Sequence, residues 1–151
     1  MNVERENSNF ACLFPGQGAQ AVGMAADLCE ASGRAREVFR RGGEILGFDV
    51  LAICSDGPIE ELNATRVSQP AIFLHSRAVL EALAERRGLE GSFGQGLAAS
   101  AASGLSLGEY SALVFVGALQ FEDALKIVGK RGEFKQAVSY THLTLPTNRD
   151  V

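Results

Sequence analysis

Cysteine is scarce in this chain and carries no pattern: Cys12, Cys29 and Cys54 are odd in number and form no C-x-x-C pair. That excludes a disulfide framework and a zinc site as organising devices, and it points to a reducing cytoplasm. No run of roughly 18 apolar residues occurs, so no membrane-spanning helix is expected. The first nine residues are polar and acidic rather than basic and then apolar, so no export signal is expected either. A basic excess is also lacking. With 14 Lys and Arg against 18 Asp and Glu the net charge is −4, and the basic residues are scattered through helical stretches, which argues against nucleic acid as a partner. Histidine is reduced to His75 and His142.

What the chain does have is enough apolar material for one domain with a real core, at 151 residues and 46% hydrophobic. It also has a serine flanked by glycines two positions away on each side, in Gly104-Leu105-Ser106-Leu107-Gly108-Glu109-Tyr110. Such a serine can sit in a sharp turn between a strand and a helix, where bare glycines avoid a Cβ clash and the hydroxyl projects at the helix N-terminus. The surroundings suit that turn. Small residues from Leu97 to Ser103 read as a short buried strand, and the apolar stretch from Tyr110 to Val116, closed by Gly117, reads as a buried helix. The competing reading of Ser106 is an ordinary loop serine.

Elsewhere, Phe10 to Phe14 reads as a buried strand running into the glycine loop after Pro15. Ser32 is placed to cap a helix from Arg34 to Leu46, with Gly47 as its stop. Val50 to Ile53 reads as a short apolar turn, and Pro58 as the start of a brief helix from Ile59 to Leu62. Pro70 is expected to open a longer helix that packs on a sheet through Ala71, Ile72, His75, Ala78, Val79, Ala82 and Leu83. Residues 91–96 read as a flexible lead, and Phe121 to Gln136 as an amphipathic helix.

Strands separated by helices predict an α/β architecture, with the glycine loop and the Ser106 turn together at one end of a parallel sheet. The loop Gly16-Gln17-Gly18-Ala19-Gln20-Ala21 also matches the G-x-G-x-x-A form of a dinucleotide site. That alternative calls for a second strand some twenty residues on, where the sequence instead reads as helix.

Several motifs in order resemble the N-terminal half of the malonyl-CoA:acyl carrier protein transacylase family. They are Phe14 to Gln20 with Val22-Gly23-Met24, Gly57-Pro58 with Glu61-Leu62-Asn63, Ser68-Gln69-Pro70-Ala71, Gly104 to Leu113, and Lys130 to Phe134 with Gln136. The resemblance implies an α/β-hydrolase-like parallel sheet with a nucleophile elbow, interrupted before a smaller ferredoxin-like subdomain. It implies that Ser106 is acylated by malonyl-CoA and passes the malonyl group to the phosphopantetheine thiol of acyl carrier protein. The backbone N–H groups of Gln17 and Leu107 would form the oxyanion hole, and Arg131 would grip the malonyl carboxylate bidentately. No cofactor is implied, since malonyl-CoA is the substrate and the phosphopantetheine belongs to the carrier. Gln69 is read as no more than a residue leading into a helix.

Two departures qualify the resemblance. Leu105 stands where the family usually has histidine, which puts acyl preference in doubt. The family's general-base histidine lies well downstream of the nucleophile, past what residues 107–151 supply, while His75 reads as a packed structural residue. From Val138 the resemblance stops, and the stretch containing His142 reads as foreign sequence. The expected organisation is thus a polar tail over residues 1–9, part of an acyltransferase large subdomain over 10–137 and a non-native tail over 138–151. Such a piece is expected to be poorly soluble or partly unfolded and inactive alone, its parent a monomeric cytoplasmic enzyme of fatty acid synthesis. A polyketide synthase acyltransferase domain, a serine esterase and a non-catalytic nucleotide-binding module are the alternatives.

Overall fold

The computed structural model of the chain describes residues 10–90 and 99–142, with the side chains of the last helix as far as Val138. Two short strands, β1 (Ala11–Phe14) and β2 (Ala101–Gly104), pair in parallel, with Ala11 opposite Ala101 and Phe14 opposite Gly104. A parallel pair needs a long crossover. Here it runs through α1 (Ala26–Ala31), α2 (Gly33–Leu46), α3 (Val50–Asp56), α4 (Ile59–Asn63) and α5 (Thr65–Arg86). After β2 come α6 (Gly108–Phe115) and α7 (Phe121–His142). Because the strands run the same way in register, the loop after β1 and the turn after β2 emerge at the same end, as expected.

Among the described residues no strand falls between β1 and β2, so the second strand of a dinucleotide unit is absent there. The flexible lead expected over residues 91–96 lies outside the described residues. On the solvent side of the sheet, Leu13 is 79% exposed.

Where a cap is contiguous with its helix, the local signal decides the boundary. Ser32 Oγ accepts the Ala35 N–H at 3.0 Å, and Gly47 ends α2 in the left-handed region at φ 79°. The apolar turn expected over Val50 to Ile53 is instead α3. Asp49 caps it by accepting the Ala52 N–H at 2.9 Å, and burial of Val50 and Cys54 secures so short a helix.

The larger correction concerns α5, which starts at Thr65 rather than at Pro70 and carries the proline inside it. Proline removes the N–H that would bond back to Arg66 and disfavours helix at Gln69 before it, yet both residues are helical and buried. Tertiary burial outweighs that local cost: Val67 through Leu74 is buried without interruption. Nor does α5 present one apolar stripe to a sheet. It lies chiefly against α2 and α7, meeting the sheet where Leu80 joins Phe14 in a small apolar cluster. The Phe73 and Phe121 rings stack 5.8 Å apart between α5 and α7, worth about 1 kcal/mol beyond their burial.

Candidate active site

Three residues reverse the chain between the end of β2 and the start of α6, and Ser106 sits in the middle of them at φ 55°. A non-glycine residue in that region is strained, and such strain is kept where surrounding structure over-determines it. The flanking glycines supply that constraint by close approach. A Cβ on Gly104 would stand 2.0 Å from the Gly108 carbonyl carbon, and one on Gly108 would stand 2.2 Å from the Phe14 carbonyl oxygen. The elbow thus closes on itself and on β1, leaving Ser106 exposed at the mouth of α6. Leu107, at the N-cap of α6, is fully buried, whereas the Leu105 side chain is 77% exposed. Position 105 contributes to the turn through its carbonyl, which accepts the Gly108 N–H at 2.9 Å.

The loop after β1 lies directly against this turn. A Cβ on Gly16 would come within 2.9 Å of the Leu105 carbonyl oxygen, so Gly16 lets the two backbones touch. Side chains then moor the loop to the helices behind it. Gln20 donates to Asn63 Oδ1 at 2.9 Å and accepts the Gly18 N–H at 2.9 Å. Gln17 donates to Thr65 Oγ1 and accepts from Gln69 Nε2, each at 3.4 Å. The structure therefore brings Gln17, Leu107 and Ser106 to one end of the sheet.

Arg131 reaches the same place from α7. Its Nη2 donates to Ser106 Oγ at 2.7 Å, its Nη1 donates to Gln69 Oε1 at 2.5 Å, and its Cζ lies 6.0 Å from the centre of the Tyr110 ring. A cation is thus aimed at the Ser106 hydroxyl and held from two sides. Gln69 is the residue that sequence reasoning undervalued: it is fully buried and bridges Gln17 to Arg131. The signal in the sequence was a polar residue directly before the apolar run Pro70 to Leu74, and the structure buries it within an unbroken stretch from Val67 to Leu74.

Among the described residues no histidine is a hydrogen-bond partner of Ser106. His75 is half-buried on α5, and burial pushes its pKa below the ordinary histidine value. The His142 side chain lies outside those described. Burial also raises the thiols of Cys12, Cys29 and Cys54, the last to about 12, so none is an activated nucleophile. Beside the Gln17 loop opens a groove of about 420 Å³ lined by Gln17, Thr65, Phe134, Lys135 and Val138. A serine, a neighbouring cation and converging backbone at a helix mouth suit transfer of an acyl group that carries a negative charge.

Residues 11–142 match the acyl transferase domain family. The chain is 43% identical over 127 residues to a malonyl CoA-acyl carrier protein transacylase of Haemophilus influenzae, covering 84% of this chain and 38% of that protein. An acyl carrier protein S-malonyltransferase of Vibrio cholerae superposes with a TM-score of 0.71 at 44% identity, over 83% of this chain and 39% of the other. A malonyl-transacylase solved in complex with a type II polyketide synthase acyl carrier protein superposes with a TM-score of 0.75 at 40% identity, over 86% and 40%. The chain thus spans about 38% of the length of the curated relative.

Proposed function

The chain belongs to the acyl transferase domain family, and from that membership we propose that it supplies the nucleophile-bearing part of a malonyltransferase. The donor is malonyl-CoA, and the acceptor is the phosphopantetheine thiol of acyl carrier protein. Ser106 Oγ attacks the thioester carbonyl; the C–O ester bond forms, the C–S bond breaks, and coenzyme A leaves as its thiol. In the second half the carrier thiol attacks the malonyl-serine ester, and the Ser106 hydroxyl is regenerated. The serine proton passes to a base outside the described residues.

The observation that carries this reading is Arg131 Nη2 at 2.7 Å from Ser106 Oγ. Once Ser106 is acylated, the free carboxylate of a malonyl group lies a few bonds beyond Oγ, within the sweep of that guanidinium. A planar fork can meet it through two parallel hydrogen bonds. A serine esterase has no need of a cation facing its acyl group, which favours transfer over hydrolysis. The N–H groups of Gln17 and Leu107 are assigned to the oxyanion, a role supported by the adjacency of the Gly16 loop to the elbow. Each such donor is worth about 10²–10³ in turnover.

We assign the carrier to fatty acid synthesis, and the enzyme to the cytoplasm as a monomer. A polyketide-type carrier is the second reading, favoured by the solved relative that holds one. Incubating the full-length protein with radiolabelled malonyl-CoA tests the proposal. Label should stay on Ser106 until acyl carrier protein is added and then move to it; release to water instead supports an esterase, and label persisting in Ser106→Ala overturns the assignment.

A further inference from the structure

Helix α5 begins without a cap of its own. Its N-cap residue is Ala64, which has no side-chain acceptor, so first-turn N–H groups need partners from elsewhere. One of them is supplied by another helix: the Arg66 N–H donates to Gln136 Oε1 of α7 at 3.0 Å, across 70 positions of sequence. One turn earlier on α7, Gly132 lets the backbones meet. A Cβ there would come within 2.7 Å of the Thr65 carbonyl oxygen and 3.0 Å of Arg66 Cα. Immediately before Gly132, Arg131 reaches Gln69 on the second turn of α5. Two hydrogen-bonded rungs, Gln136 to Arg66 and Arg131 to Gln69, therefore set the register of α7 on the first turns of α5.

Those turns of α5 are also the mount of the site. Thr65 and Gln69 hold the Gln17 side chain, and Gln69 holds Arg131. A slip of α5 against α7 would move the loop proposed for the oxyanion and the cation proposed for the carboxylate together.

We propose that Gln136 is a positioning residue: by capping α5 from α7 it holds Gln69, and through Gln69 the Arg131 guanidinium, where a malonyl carboxylate on Ser106 is met. The inference rests on the malonyltransferase reading above. It concerns a residue that touches neither substrate nor nucleophile, and it predicts an effect on acyl selectivity beyond any effect on folding. A glutamate at 136 keeps the acceptor oxygen and adds charge that the helix N-terminus favours, so it should replace glutamine. A leucine of similar size cannot.

The experiment uses full-length protein carrying Gln136→Leu or Gln136→Glu, with malonyl-CoA and acetyl-CoA as donors and amide hydrogen exchange read at Arg66. Gln136→Leu should raise the malonyl-CoA KM and narrow the malonyl-over-acetyl preference by about tenfold, while exchange at Arg66 speeds up. Gln136→Glu should restore the preference and slow exchange again. Should Gln136→Leu fail to fold, Gln136→Asn, one methylene too short to reach Arg66, takes its place. Unchanged preference and unchanged exchange in the leucine or asparagine variant overturn the proposal. So does a fall in both donors by the same factor, or a glutamate variant as impaired as leucine. Absence of malonyl transfer in the wild-type protein would instead defeat the functional reading, and the Arg66 exchange would still decide the cap.

Discussion

The Arg131 guanidinium donates to the Ser106 hydroxyl at 2.7 Å, and its other nitrogen is held by Gln69 at 2.5 Å. Under the malonyltransferase proposal, a serine that touches a cation directly is poised for an acyl group that brings an anion with it. The guanidinium has only to exchange a neutral oxygen for a carboxylate, a stronger acceptor.

Replacing Arg131 should therefore separate charged from neutral acyl donors. In the full-length protein Arg131→Ala is expected to lower kcat/KM for malonyl-CoA by about 10²-fold and for acetyl-CoA by far less. Arg131→Lys, a point charge without the fork, should fall between. Equal losses for the two donors would sink the carboxylate role.

Gln69 should matter to both stability and selectivity. Gln69→Leu fills the same volume but leaves Gln17 and the Arg131 Nη1 without their buried partner. Denaturant titration should show a loss of roughly 1–3 kcal/mol. Gln69→Glu makes a different prediction, because a carboxylate beside Arg131 competes with the substrate for the same cation. It should raise the malonyl-CoA KM without a matching loss of stability, and a KM unchanged from wild type would contradict the bridge.

The elbow glycines should be intolerant for a steric reason. Gly104→Ala places a methyl group 2.0 Å from the Gly108 carbonyl carbon, and Gly108→Ala places one 2.2 Å from the Phe14 oxygen. Both obstacles are backbone, so relief requires moving β1, β2 or α6. Each substitution should cost more than about 4 kcal/mol and be visible as lost soluble yield or a collapsed melting transition. A Gly104→Ala protein melting like wild type would remove the geometric argument for the motif.

Stability should decline in mildly acidic solution through His75. Burial lowers its native pKa below the ordinary 6.5, so the folded state binds the proton less readily than the unfolded one. Its contribution is complete above about pH 6.5 and is lost progressively as pH falls toward the native pKa, where it levels off. The melting temperature of the full-length protein should drop between about pH 7 and pH 5, and His75→Gln should flatten that slope. An identical slope in the variant would assign the pH dependence elsewhere.

Much of the site was legible because its signals are local. Gly104 against Gly108, the Ser32 cap and the Gly47 stop each act on backbone within about five residues of themselves, so their meaning survives in one dimension, whereas Gly108 is needed where α6 meets the Phe14 carbonyl of β1. The positions whose role no local signal marks depend on distant partners. Pro70 looked like a helix start, yet α5 reaches back to Thr65, where its first turn is capped from Gln136. Gln69 looked like a lead-in residue, yet it is buried between Gln17 and an arginine 62 positions away.

By itself, then, the sequence determined where the chain turns sharply, which serine the turn exposes and which ordered motifs relate it to acyltransferases, because short-range sterics and hydrogen bonding decide those features. Only the tertiary structure decided where α5 begins, that Gln69 is part of the site and that Arg131 rests on Ser106. Each of these rests on contacts between segments far apart in sequence, whose register is set by packing and by buried polar groups that must find partners, and no local pattern encodes that register.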